Sequence, residues 1–157
     1  MKSSYNDIYS RFLNKIRDYK FAGLPEPTAT QQMREWLQSA LSDTYVYRIF
    51  ESISADDEIA EFEYTLKSSV DEYSDKHFVE ELLSNAMVVE WIKPKVQTTT
   101  LLNQMITNSK ESKFFSQSQH ISEMRSILEN AENKVRDMLR DKDYIYNSYL
   151  GNINVPT

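Results

Sequence analysis

The chain has 157 residues, of which 40% are hydrophobic and 27% are charged, and it carries a formal net charge of −6. This length favours one domain with a hydrophobic core, and the composition is that of an ordinary globular protein, which excludes disorder of the whole chain. Because the sequence has no cysteine, disulfides, thiolate nucleophiles and zinc–thiolate sites are excluded. The acidic excess disfavours tight DNA binding, which requires a basic face.

The N-terminal stretch MKSSYNDIYSRFLNKI contains no continuous apolar run. The sequence therefore predicts no signal peptide. No stretch approaches the ~18 consecutive apolar residues of a membrane-spanning helix, so we expect no contact with a membrane.

Two helices are predicted in the first part of the chain. The first extends from about Ser4 to Tyr19, and the glycine and prolines at 23–27 end it. The second begins near Thr28 or Thr30, either of which is a suitable N-cap. Their apolar positions follow helical spacing; they are Tyr5, Ile8, Phe12, Ile16 and Tyr19 in the first helix, and Met33, Trp36, Leu37, Ala40 and Leu41 in the second.

A β-hairpin is predicted at about residues 45–66. In its second arm, residues 60–66 alternate strictly between apolar and polar side chains, which is typical of a strand. The first arm, Tyr45 to Ile53, is rich in β-branched and aromatic residues, and an acidic turn at 55–58 joins the two arms. A two-stranded ribbon is marginal alone in water, so we expect it to pack on another surface.

The third predicted helix, from about Asp75 to Lys93 with Ser74 as its N-cap, is apolar around most of its circumference. Such a helix is expected at the centre of the fold. Pro94 either kinks this helix or opens a second helical segment, which continues to about Ile106.

A loop is predicted at 107–117, with Phe114 and Phe115 as its anchors. The fourth helix extends from about Ser118 to Asp141. Its apolar residues step by three and four along one seam, which favours packing in a bundle over a free coiled coil; they are Ile121, Met124, Leu128, Ala131, Val135 and Met138.

The segment that follows is unusually rich in tyrosine. Chain ends are usually polar, and tyrosine is enriched in protein interfaces, so we favour a docking role over packing on the subunit's own core. The proposed docking residues are Tyr144, Ile145, Tyr146, Tyr149 and Leu150. The predicted fold class is mainly α: a bundle of four to five helices with an inserted β-hairpin, forming a domain at 1–143 followed by a docking tail at 144–157.

The sequence offers little for catalysis. His77 precedes Glu80 and Glu81 by about one helical turn, and His120 stands in the same relation to Glu123. These pairs are more typical of a solvated helix face than of metal ligands, and they lack the Glu-x-x-His order of di-iron bundles. With two distant glycines and no G-x-S-x-G sequence, neither a phosphate-binding loop nor a nucleophile elbow is expected. We therefore predict no enzyme activity, no metal site and no cofactor.

The order of these parts resembles the head–tail connector (neck or adaptor) proteins of tailed bacteriophages. The resemblance rests on the segments DIYSRFLNKIRDY, LLSNAMVVEWIKPKV and FFSQSQHISEMRSILENAENKVRDML. Its most specific parts are the E-W-I-K-P run at Glu90 to Pro94 and the F-S-Q-x-x-H-I sequence from Phe115 to Ile121. The resemblance spans about residues 5–146 of the chain.

The resemblance implies a virion protein, made in the host cytoplasm, that forms a homo-oligomeric ring, usually of twelve copies, on the portal protein. It implies that the ring joins the portal to the tail or to a further neck protein, and that DNA leaves through its lumen without specific binding. The C-terminal docking residues would then reach the portal. The hairpin would contact a neighbouring subunit or the tail side, since edge strands favour pairing; its candidate contact residues are Tyr47, Ile49, Ile53, Asp56, Asp57, Phe62 and Tyr64.

Two other functions stay open at this point. One is a small acidic helical interaction module, such as an inhibitor or an assembly chaperone. The other, ranked far behind, is a metal-dependent enzyme built on His77, His120 and nearby carboxylates.

Overall fold

The computed structural model describes residues 1–16, 18–106 and 111–145. Within these residues the chain forms six helices and three strands, so the predicted class, mainly helical with a β-hairpin, is confirmed. The elements are β1 (Lys2–Ser4), α1 (Tyr5–Ile16), α2 (Tyr19–Ala22), α3 (Glu26–Ser42), α4 (Thr44–Tyr47), β2 (Phe50–Asp56), β3 (Glu61–Leu66), α5 (Glu72–Ile106) and α6 (Glu111–Ile145). The prediction was four to five helices. The two short helices of four residues each, α2 and α4, were not predicted.

The predicted hairpin gains a third strand from the N-terminal segment. The strand order is β1–β3–β2 and both pairings are antiparallel, with Ser3 opposite Phe62 in the β1–β3 ladder. The Tyr64 N–H donates to the Met1 carbonyl oxygen at 2.9 Å. Strand β3 therefore has a hydrogen-bonded neighbour on each side, and β1 was not predicted because three polar residues carry no strand pattern.

The hairpin packs on the helices of its own chain. Phe62, Tyr64 and Leu66, on one face of β3, are each less than 5% exposed, as is Phe50 of β2. The ring centroids of Phe62 and Tyr64 lie 5.2 Å apart, and the Phe50 ring meets Tyr64 edge-on at 5.8 Å. The alternation predicted for the second arm is confirmed, and the surface on which the ribbon was expected to pack is formed by its own subunit.

The predicted first arm of the hairpin starts five residues too early. Residues 44–47 form the helical turn α4, and the strand begins at Phe50. The Asp43 carboxylate caps this turn by accepting hydrogen bonds from the backbone N–H groups of Tyr45, at 2.8 Å, and Val46, at 3.4 Å. An Asp N-cap of this kind outweighs the β propensity of the Tyr-Val-Tyr sequence that follows it.

Helix α3 begins earlier than predicted. It starts at Glu26, with Pro25 in the N-cap position and no side-chain capping bond, so neither Thr28 nor Thr30 is the cap. Pro27 lies in the first turn of the helix. A proline is favourable there because its missing N–H would have no helical partner. Trp36 of this helix lies between Phe12 and Phe21, with ring centroids 5.5 and 5.3 Å away, and so joins α3 to α1 and α2.

Helix α5 forms the centre of the fold, as its composition predicted. It is one continuous helix that starts at Glu72, three residues before the predicted start, and includes Pro94. At 1.5 Å per residue it is about 52 Å long. Among the side chains of α5 that the structure describes, up to residue 99, eight hydrophobic ones are buried, on several faces of the helix; they are Val79, Leu82, Leu83, Ala86, Met87, Val89, Ile92 and Val96.

Helix α6 packs antiparallel to α5. Asp75, near the start of α5, contacts Lys142, near the end of α6. Asn85, further along α5, contacts Met138, which is earlier in α6, so the two helices run in opposite directions. The predicted seam faces α5: Ile121 is buried and the other five seam residues are half-buried. Leu139, also buried, was not predicted.

The loop predicted at 107–117 is wrong from Glu111 onwards, since those residues belong to α6; residues 107–110 lie outside the described residues. Tyr144 and Ile145, predicted to open the docking tail, are the last two residues of the same helix. Tyr146, Tyr149 and Leu150 lie outside the described residues, so their docking role stays a prediction.

Candidate interaction surface

A groove of about 200 Å³ opens between the C-terminal end of α3, the turn α4 and the helix pair α5–α6. We call it the α3–α6 groove. It forms because α3 and α6 both pack against α5 and leave a gap between them. The residues that line it are Ala40, Asp43, Tyr45, Val46, Ala86, Val89, Glu90, Lys93, Glu132, Val135, Arg136 and Leu139.

The floor of the α3–α6 groove is apolar and its rim is charged. Small and branched apolar side chains such as Ala40, Val46 and Leu139 are almost fully buried beneath it. At the rim the Glu90 carboxylate accepts a hydrogen bond from the Ser39 hydroxyl at 2.7 Å and forms an ion pair with Lys93. Such a site suits a side chain with an apolar body and a polar tip.

Two exposed tyrosines stand beside this groove. Tyr45, which lines the groove, is 64% exposed, and Tyr47 on the same turn is 55% exposed. The Arg48 guanidinium carbon lies 6.0 Å from the centroid of the Tyr45 ring. Large apolar rings of this kind next to a groove are typical of a protein-binding surface, because tyrosine is enriched in interfaces.

A buried ion pair fixes the end of α6 to the start of α5. Asp75 is fully buried, and its Oδ1 accepts a hydrogen bond from Lys142 Nζ at 2.7 Å. Its Oδ2 accepts from the Ser69 hydroxyl at 2.7 Å and from the Val70 N–H at 2.9 Å. Burial alone would raise the pKa of Asp75, but these hydrogen bonds outweigh it and hold the pKa below its usual value.

A second polar network joins α1 to α5. Arg11 donates to the Glu80 carboxylate at 3.1 Å and lies 2.7 Å from His77 Nδ1, and Lys15 donates to Glu81 at 2.7 Å. Burial would raise the pKa of Glu81, but hydrogen bonds from Lys15 and Asn85 lower it overall. The structure therefore places His77 in an ion-pair network between two helices.

No group of three or more His, Asp and Glu side chains is arranged to hold a metal ion within the described parts of the chain. His120 lies on an exposed part of α6. The two histidines are thus on different elements, and nothing in their described surroundings favours the metal-enzyme alternative.

A second groove, of about 690 Å³, opens between α1 and the first half of α3. Leu13, a large hydrophobic residue of its lining, is 41% exposed. Tyr9 and Met33, both buried, contribute to its floor, and Asp18, which forms an ion pair with Lys95 at 2.6 Å, lies at one end. The Lys95 hydrogen bond is the largest cause that lowers the pKa of Asp18.

The structure separates the predicted hairpin contact residues into two groups. Ile49, Phe62 and Tyr64 are buried in the subunit's own core, which leaves them little surface for an intermolecular contact. The strict alternation that identified the strand also marked which face is buried, and this face belongs to the core. The hairpin residues that stay at least partly accessible are Tyr47, Ile53, Asp56 and Asp57.

The two aspartates hold the hairpin turn in place. Asp57 accepts hydrogen bonds from the Tyr5 hydroxyl at 2.8 Å and from Gln38 Nε2 at 2.9 Å, which tie the turn to α1 and α3. Burial, followed by this bond to Asp57, raises the pKa of Tyr5. Asp56 accepts from the backbone N–H groups of Glu58 and Ile59 at 3.0 and 3.3 Å, closing the turn.

The sequence did not reveal the α3–α6 groove. Its lining comes from four helices separated by up to about a hundred residues, and no local pattern brings these residues together. The usable signals were the small residues Ala40 and Ala86, which leave room between helices, and the aromatic pair Tyr45 and Tyr47, which was assigned to a strand.

We compared the chain with protein-family models, with curated proteins and with solved structures, and none of them matches it. Among the described residues, no helix combines the length and the apolar character needed to span a membrane.

Proposed function

We propose that this chain is a structural neck protein of a tailed phage, which forms a ring on the portal and leaves a channel for DNA. The observation that carries the proposal is the position of the E-W-I-K-P run, the most specific part of the resemblance. It lies on α5, where Glu90 and Lys93 form part of the rim of the α3–α6 groove. The segment that resembles connector proteins therefore coincides with the surface best suited to protein contact.

The acidic side chains on the outward face of the sheet are compatible with the wall of a channel through which DNA passes without binding. On the outward face of the sheet, Asp56 pairs with Glu61 across the β2–β3 ladder. Glu63 is two residues further along β3 and lies on the same face. Lys2 forms an ion pair with Glu63. This face is acidic on balance, as is the whole chain, so we expect weak binding to duplex DNA at physiological salt.

The test is to co-express the chain with the portal of the same phage and to weigh the purified complexes by light scattering. We expect a complex with several copies of this chain on each portal, visible as a ring by electron microscopy. A chain that remains monomeric and elutes apart from the portal would contradict the proposal.

The α3–α6 groove with its exposed tyrosines also suits the alternative, a small acidic interaction module that inhibits or chaperones one partner. The two functions differ in stoichiometry. A helper module would bind its partner as a single copy and would not remain in purified virions, whereas a neck protein would be found there in many copies.

A further inference from the structure

The α3–α6 groove has the size and the chemistry to bind an aromatic side chain. An apolar cavity of about 150 Å³ can hold a benzene molecule, and this groove measures about 200 Å³. Its apolar floor would cover a ring, while its rim offers hydrogen-bonding and charged groups at Asp43, Glu132 and Arg136. Tyrosine combines a ring with a hydroxyl and fits both parts better than an aliphatic side chain does.

The chain itself carries tyrosines of this kind beyond the described residues. Tyr146 and Tyr149, with Leu150, follow directly after α6, which ends at Ile145. The groove lies against the stretch of α6 between Glu132 and Leu139. Its centre is therefore about nine to ten residues before the end of the helix, or about 14 Å along the helix axis.

Little chain separates these tyrosines from the end of α6. Tyr149 follows Ile145 by four residues, and four fully extended residues span at most about 14 Å. The backbone would use all of this length to return to the groove centre of its own subunit, with none left for the turn that reverses its direction. A groove on a second copy imposes no such limit.

We propose that the α3–α6 groove binds the tyrosine segment 146–150 of a second copy of this chain. This inference rests on the proposed ring and specifies one of its contacts. A groove on one copy and a tail on the next are different surfaces, so the contact is heterologous. Repeated around an axis, heterologous contacts form a ring when the rotation between copies closes, without any further self-complementary surface.

The absence of cysteine from the sequence makes the contact testable by disulfide cross-linking. We would mix two singly substituted proteins, one with Glu132→Cys at the groove rim and one with Tyr149→Cys, and oxidise the mixture. Glu123→Cys is the matched control, because it replaces an exposed glutamate on the same helix about 14 Å from Glu132. We expect at least about tenfold more heterodimer with Glu132→Cys than with the control.

A second pair of variants tests the groove without relying on cross-linking. Val135→Trp fills the groove, whereas Ile127→Trp places the same ring at an exposed position of α6. We expect Val135→Trp to abolish self-association in light scattering at high protein concentration, and Ile127→Trp to leave it intact. Circular dichroism checks that both variants are folded.

Three results would overturn the inference. They are equal cross-linking at Glu132→Cys and Glu123→Cys, a disulfide that forms only within one doubly substituted chain, and unchanged self-association of a folded Val135→Trp protein. The intramolecular disulfide would show that position 149 reaches the groove rim of its own subunit. Portal binding is measured on the same proteins, so a failed cross-link with intact portal binding would refute the inference and leave the proposed function standing.

Discussion

Helices α5 and α6 have the same length but occupy very different environments. Each has 35 residues. Helix α5 is covered by α1, α3, the sheet and α6, and between Val79 and Met87 its Val, Leu and Met side chains are fully buried. In the described part of α6, by contrast, only Ile121 and Leu139 are buried, and Ile127 is 47% exposed.

This difference indicates that α5 and α6 contribute differently to the stability of the subunit. Helix α5 holds the fold together, because every neighbouring element packs against it. Helix α6 is attached along one seam and by the ion pair between Asp75 and Lys142. Elements with few buried apolar contacts open at lower free energy than core elements, so we expect α6 to be the first long helix to detach. The following predictions test that expectation.

The largest effect is expected from the buried ion pair. Asp75→Ala removes a fully buried carboxylate and breaks its ion pair with Lys142, which should lower the free energy of unfolding by about 3–5 kcal/mol. The double variant Asp75→Ala with Lys142→Met should recover most of this loss. Urea unfolding measures both, and Asp141→Ala, which removes an exposed carboxylate from α6, is the control with an expected change below about 0.5 kcal/mol. A loss of similar size in the control would contradict the assignment.

A matched pair of leucine substitutions compares the two helices directly. Leu83→Ala in α5 removes a fully buried side chain and should cost about 2–5 kcal/mol of unfolding free energy. Leu128→Ala in the half-buried seam of α6 should cost about 1 kcal/mol, close to the average substitution. Equal losses in the two variants would show that α6 is as firmly packed as α5.

Hydrogen exchange should show the same order without any substitution. Amides of α6 between residues 119 and 130 are expected to exchange through local opening, while those of α5 between Val79 and Met87 exchange only on global unfolding. Mass spectrometry of peptides after timed labelling distinguishes the two. If both helices exchange at the same rate as the core strands, the subunit unfolds as one unit. That result would contradict the expectation that α6 detaches before α5.

The smallest effect is expected from acid. The folded-state pKa of Asp75 lies below its ordinary value of about 3.9, so its contribution to stability is present above about pH 4 and is lost as the pH falls through the folded pKa. The pKa values of Asp18 and Glu81 are also lowered and act in the same direction. Urea midpoints from pH 7 to pH 3 should therefore fall less steeply for Asp75→Asn than for the unsubstituted protein, and parallel curves would contradict this.

Local patterns predicted the parts of the fold that one element determines by itself. The apolar circumference of α5 indicated a central helix, and the alternation at residues 60–66 indicated a strand and its buried face. The seam of α6 was predicted with all six positions facing its partner. In each case the pattern reflects one face of one element, so the sequence alone is sufficient.

The errors occurred where residues outside an element's own pattern decide its structure. Strand β1 exists because β3 offers it a pairing edge about sixty residues later, and its own sequence, Lys-Ser-Ser, has no strand pattern. The turn α4 depends on the carboxylate of Asp43, which overrides the propensity of its neighbours. The α3–α6 groove depends on four helices at once, so its residues were named as core positions or strand positions and never as one surface.

The long-range pairing of β1 also bears on how a ribosome delivers this chain. Residues 2–4 are synthesised before both of their partners, because Ser3 pairs with Phe62 and its hydroxyl donates to Glu80 at 3.4 Å. These residues stay unpaired until the hairpin and part of α5 have been synthesised. Contacts of such wide sequence separation slow folding because the chain entropy is lost before they form, so strand β1 is expected to be among the last elements to reach its final place.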